Sequence, residues 1–175
     1  MSLKFYIPFC FLALLISCKD SAQKTLEDTN NSNKQPTQII TQTDIAKLKY
    51  IDFRLDTKAE KLIETWDAYT QLQQLIKNIK QAKFTELKDN NKVLKTLVND
   101  LKRKSPTHLK SSPISARIMV LETKLFKLES LVNLPNINKK ELGATIKELL
   151  LAFSNLNFQI NKKMEKDSQK IEKPV

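Results

Sequence analysis

A single glycine, Gly143, stands in a chain of 175 residues. Average usage would supply about a dozen, and left-handed backbone mostly depends on them. Loops that cradle phosphate through G-x-x-x-x-G-K-[ST], G-x-G-x-x-G turns and G-x-S-x-G elbows are therefore excluded. Hairpin-rich sheets are disfavoured as well, because their two-residue turns lean on Asn-Gly, Asp-Gly or Gly-X pairs. An all-α fold is what remains, with its connections made by Asn, Asp, Ser and Pro. Gly143 itself falls in the first turns of the last predicted helix, where glycine costs about 1 kcal/mol relative to alanine. It reads as a close-packing or incidental position.

Apolar spacing agrees with this. Ile114, Ile118, Leu121, Leu125, Leu128 and Val132 alternate steps of four and three, and so do Leu142, Ile146, Leu149, Phe153, Leu156 and Ile160. Each set makes one stripe on a helix, and neither stripe can face water alone. Ser112-Pro113 reads as an N-cap with proline at the first helical position, and Pro135 as the end of that helix. Asn138 to Glu141 resembles a capping box, and so does Thr57 to Glu60, which opens a stripe of Leu62, Trp66, Tyr69, Leu72, Ile76 and Ile79. The pattern loses register between 81 and 91, where Lys88-Asp89-Asn90-Asn91 favours a turn or a fresh cap. Leu94, Leu97, Val98 and Leu101 then carry it on to Ser105-Pro106. Four main helices are expected, near 57–81, 90–104, 113–134 and 138–166, packed as an antiparallel bundle. Ile51, Phe53 and Leu55 alternate with charges as a strand would, but no partner strand exists, so 44–56 is expected to be a helical lead-in. One continuous helix over 44–104 is the alternative, and it would overhang its shorter neighbours.

The N-terminus carries a separate signal. Lys4 is followed by an almost unbroken apolar run from Phe5 to Ile16. That run is shorter than the roughly 20 residues a spanning helix needs, as in a signal peptide. It ends in Leu15-Ile16-Ser17-Cys18, which resembles the lipobox of bacterial lipoproteins. The resemblance implies cleavage before Cys18, a diacylglycerol on its sulfur and an acyl chain such as palmitate on its new amino group. Cys10 leaves with the signal, so the one remaining cysteine is modified and neither a disulfide nor a Cys-based metal site can form. Lys19, not Asp, follows the lipidated position; the aspartate associated with inner-membrane retention in enteric lipoproteins is absent, which favours the outer membrane. Residues 19–43 are rich in Ser, Thr, Asn and Gln with balanced charge, a composition that cannot offset its ordering entropy. They read as a flexible tether with a random-coil span of roughly 25–30 Å. The expected organisation is a signal peptide at 1–17, lipidated Cys18 and tether at 18–43, helical bundle at 44–167 and disordered tail at 168–175.

Residues able to carry chemistry are few. His108 is the only histidine, and it lies in a loop between Pro106 and Pro113 with no companion ligands or nucleophile,. Glu60 with Glu64, and Glu122 with Glu129, alternate with lysines as on a solvated face. Trp66 and Tyr69 share the face of Leu62 and Leu72, which marks them as core. No cofactor, metal site or small-molecule substrate is evident. The formal charge of +11 is uneven. Residues 44–67 hold five bases and six acids, whereas 77–104 hold nine bases and three acids and end in Lys102-Arg103-Lys104. This triplet is a candidate contact for anionic headgroups or polyanions. A nucleic-acid partner is disfavoured, since no recognised motif or interleaved aromatic accompanies the lysines. Arg117, beside Ile118 and near Glu122, is the candidate for an inter-helix ion pair.

Two functional readings follow. The first is a non-enzymatic envelope lipoprotein that meets the bilayer through acylated Cys18 and an envelope protein through its helices. The second is a basic-surface binder of anionic lipid or polyanion through 77–104.

Overall fold

The structure, a computed structural model, describes residues 40–169. Cys18, the expected signal peptide and most of the expected tether lie outside the described residues. The described part is helical without strands: α1 Gln42–Ala46, α2 Thr57–Ile63, α3 Asp67–Lys80, α4 Asn91–Arg103, a 3₁₀ turn at Thr107–Leu109, α5 Ser112–Val132 and α6 Lys139–Ser168.

Every residue of the two long stripes is buried, from Ile114 to Val132 on α5 and from Leu142 to Ile160 on α6. These two helices share the most extensive contact in the protein. Asn91 Nδ2 reaches Glu129 of α5 at 3.3 Å, and Lys102 Nζ reaches Glu122 at 2.5 Å, so α4 lies along α5. Trp66, Tyr69, Leu72 and Ile79 belong to the same core.

Several local expectations need correction. The segment expected as one helix over 57–81 is two, separated at Glu64–Trp66. On an uninterrupted helix, at about 100° per residue, Ala68 and Leu72 would face away from Ala59 and Ile63. All four are buried, and the break turns the second apolar face onto the first. Two caps stand one residue earlier than read. Asp56, not Thr57, accepts the Ala59 N–H at 2.8 Å, and Ser111, not Ser112, is the N-cap of α5, which leaves Pro113 in its first turn. Asn138 caps α6 as expected, accepting from Lys140 and Glu141. Packed structure also begins earlier than residue 44. Thr41 and Asp44 form the capping box of α1, and Ile40 and Ile45 are each only 3% exposed. The single continuous helix over 44–104 is not formed, because the chain is extended after α1 and turns at 81–90.

That turn shows how a chain almost free of glycine ends a helix. Ala82 has φ 57°. Its N–H donates to the Ile79 carbonyl at 2.9 Å and the Lys83 N–H to the Asn78 carbonyl at 2.9 Å, the paired closure in which glycine usually takes the left-handed position. Asp89, φ 55°, ends the same turn. An alanine thus makes a connection that was assigned to Asn, Asp, Ser and Pro. Gly143, by contrast, sits in the interior of α6, where an added Cβ would meet Ile40 Cδ1 at 3.6 Å, ordinary van der Waals contact. The two residue types stand in each other's favoured places. Ala82→Gly and Gly143→Ala should each stabilise the protein by up to about 1 kcal/mol, read as a higher midpoint in urea. A lower midpoint for Gly143→Ala would mean that α6 and Ile40 cannot accept the methyl group.

Candidate functional site

Two surfaces are built from residues whose role is not simply to fill the core. The first lies along α6. Residues 47–56 contain no helix, so the helical lead-in expected over 44–56 ends with α1 at Ala46, and the strand-like alternation of Ile51, Phe53 and Leu55 marks extended chain. It lacks a partner strand among the described residues, yet several of its backbone groups are satisfied by side chains of α6. The Phe53 N–H donates to Ser154 Oγ at 2.8 Å, and the Ser154 hydroxyl donates to the Ile51 carbonyl at 2.6 Å. Asn157 Nδ2 donates to the Phe53 carbonyl at 2.9 Å. Asn161 Nδ2 donates to the Arg54 carbonyl at 2.8 Å while its Oδ1 accepts the Asp56 N–H at 3.1 Å.

Positions 154, 157 and 161 are spaced three and four apart, so the ladder occupies one face of the helix. Asn157 is 5% exposed, and its Oδ1 also accepts the Tyr69 hydroxyl at 2.5 Å. Burial holds that hydroxyl's pKa far above the usual tyrosine range. Phe53 packs on Phe158 with ring centres 4.7 Å apart and the planes tilted by 37°. From α3, Lys80 Nζ pairs with Asp52 at 2.7 Å and lies 5.9 Å from the Tyr50 ring centre. Burial opposes the Lys80 charge, but its hydrogen bonds to Asp52 and Tyr50 outweigh that and raise its pKa.

The second surface is the solvent face of α4. Its core face carries Leu94, Leu97, Val98 and Leu101. The three residues of the candidate contact triplet differ in their surroundings. Lys102 is held by Glu122 and Lys104 by Asp100 at 2.8 Å, which leaves Arg103 exposed and outside every ion pair among the described residues. Lys92 and Lys95 share that condition. Arg117 is exposed and also takes part in no ion pair among the described residues; the inter-helix pair expected of it is made instead by Lys102, with the same Glu122. Sequence reasoning had no signal for this exchange, because partner choice depends on which helix lies beside α5.

The remaining residues are soon placed. His108 is exposed in the 3₁₀ turn while Leu109 beside it is fully buried. Trp66 and Tyr69 are core. Glu129 accepts from the amides of Asn91 and Asn133. Among the described residues no group of three or more His, Cys, Asp or Glu is placed to hold a metal. A shallow depression of about 390 Å³, lined by Ile40, Asp44, Leu48, Lys139, Lys140, Gly143 and Ala144, marks the seat of α1 on the start of α6. Comparison with protein-family models, curated proteins and solved structures finds no match for the chain.

Two outcomes test this geometry. Asn157→Leu strands the Phe53 carbonyl and the Tyr69 hydroxyl, at about 1–3 kcal/mol for each buried group left unpaired. Asn161→Ala, on exposed chain, should cost less than about 1 kcal/mol. Urea unfolding should separate the two variants clearly, and equal losses would contradict the role given to Asn157. At the seat of α1, hydrogen bonds from Lys139 and then Thr41 hold the Asp44 carboxyl well below its ordinary 3.8. A depressed carboxyl pKa stabilises the fold above the ordinary value, and the contribution is lost as pH falls through the depressed one. Titration followed by NMR should place the Asp44 midpoint well below 3.8, and Lys139→Gln should move it back up.

Proposed function

We propose that the chain is a lipoprotein of the bacterial cell envelope, anchored through acylated Cys18 and more suited to the outer than the inner membrane. Its helices form an antiparallel bundle that acts as a non-enzymatic interaction or structural module for an envelope protein. The observation that carries the reading is the Leu15-Ile16-Ser17-Cys18 motif at the end of an apolar run too short to span a bilayer. No helix among the described residues is long and apolar enough to cross a membrane, so attachment through lipid suits the chain. Two or three acyl chains anchor stably where a single one is reversible.

The bundle arrangement is supported by the register of α4 on α5, where Asn91 meets Glu129 and Lys102 meets Glu122. Rising numbers on one helix meet falling numbers on the other. The connection from Asn133 to Asn138 is short enough to require opposite directions for α5 and α6 as well,. The non-enzymatic part rests on the scarcity of chemistry-bearing residues, with one histidine in the whole chain. Cys18→Ala should shift the protein from the membrane to the soluble fraction of lysed cells. Retention of the variant in the membrane at the level of the parent would refute the anchor.

A further inference from the structure

We propose that the outer face of α4 docks on an anionic phospholipid surface, the bilayer to which Cys18 would tie the chain. This inference rests on the lipoprotein reading and deepens it by naming what the folded part touches.

Lys92, Lys95, Asn99 and Arg103 follow one another at steps of three, four and four, so they project from one side of the helix, opposite its buried leucines. All are exposed, and the three cations have no ion pair among the described residues. Of the neighbouring acids, Asp100 pairs with Lys104 and Glu122 with Lys102, whereas Glu86 and Asp89 are exposed outside any ion pair among the described residues and offset the cations only in part. Elsewhere some lysines are paired, Lys124 and Lys127 with Glu148, Lys139 with Asp44 and Lys162 with Glu165, while others such as Lys58, Lys61 and Lys147 are exposed without an ion pair among the described residues. What distinguishes the outer face of α4 is the local excess over 77–104, nine bases against three acids, together with the alignment of Lys92, Lys95 and Arg103 on one side of the helix.

An exposed apolar side chain, Val93 at 63%, stands next to Lys92 on the helix, and Met119 of α5 is also 60% exposed. Cations that meet phosphates, flanked by a few apolar groups that enter the headgroup layer, suit a lipid surface. The face is a helix exterior, which fits a plane of diffuse charge. It can also get there. The 22 steps along the chain from Cys18 to Ile40 reach at most about 80 Å.

The test uses the full lipidated chain on vesicles of phosphatidylcholine alone and of phosphatidylcholine with phosphatidylglycerol, with lysine acylation read by mass spectrometry. Labelling of Lys92 and Lys95 should fall about fivefold on the anionic vesicles relative to the neutral ones. Lys58 and Lys61 of α2 should label alike on both. High salt should abolish the difference, and Lys92→Gln with Arg103→Gln should weaken it at Lys95. Equal labelling on the two vesicle types, with the chain floating on both, overturns the docking face and leaves the anchor standing. A chain that floats with neither overturns both. Protection that needs whole membranes and is absent on pure anionic lipid assigns the face to a protein partner, against the proposal.

Discussion

Three parts of the chain meet at Asn157. Its amide nitrogen holds the Phe53 carbonyl of the extended segment, its oxygen holds the Tyr69 hydroxyl of α3, and its backbone belongs to α6. A buried polar side chain destabilises a fold unless its partners are present, so this residue requires α3 and the extended segment to be in place together. Around it α6 carries two stripes. The apolar stripe packs on α5 and the core, while Ser154, Asn157 and Asn161 form a polar one that serves a backbone with no sheet to join. An extended segment left half-buried without such partners would not be stable, and α2 could not be delivered to its place with Asp56 as its cap.

The parts legible in the sequence were those governed by local period. The α5 and α6 stripes are buried as their spacing requires, and Asn138 caps α6 because capping involves residues only two or three positions away. The alternation of Ile51, Phe53 and Leu55 was equally plain, but a strand is inferred together with its partner, and here the partner is a set of helix side chains about a hundred positions later. Ser154, Asn157 and Asn161 look like ordinary polar positions until the segment is laid against them. The break after Ile63 carries no proline or glycine. It is imposed by burial on two faces that a straight helix would separate, which only the assembled core reveals.

Charge shows the same division. An excess of cations over 77–104 could be counted, but which of them stay available depended on the packing of α4 beside α5. Lys102 and Lys104 are consumed by carboxylates, Arg117 finds none among the described residues, and Lys92, Lys95 and Arg103 are left together. The scarcity of glycine sets the tone elsewhere: Ala82 bends the end of α3 through a left-handed conformation, while Gly143 lies in a helix interior. The proposed envelope role joins these facts economically, with a lipid at one end and a basic face on the folded part.

Native-state hydrogen exchange of the unmodified protein tests the central claim most directly. If α6 side chains hold the extended segment, the amide of Phe53, which donates to Ser154 Oγ, exchanges slowly, on the scale of its α6 neighbours. The amides of Arg54 and Leu55, which have no acceptor among the described residues, exchange fast. A Phe53 amide that exchanges as fast as that of Arg54 would contradict the account.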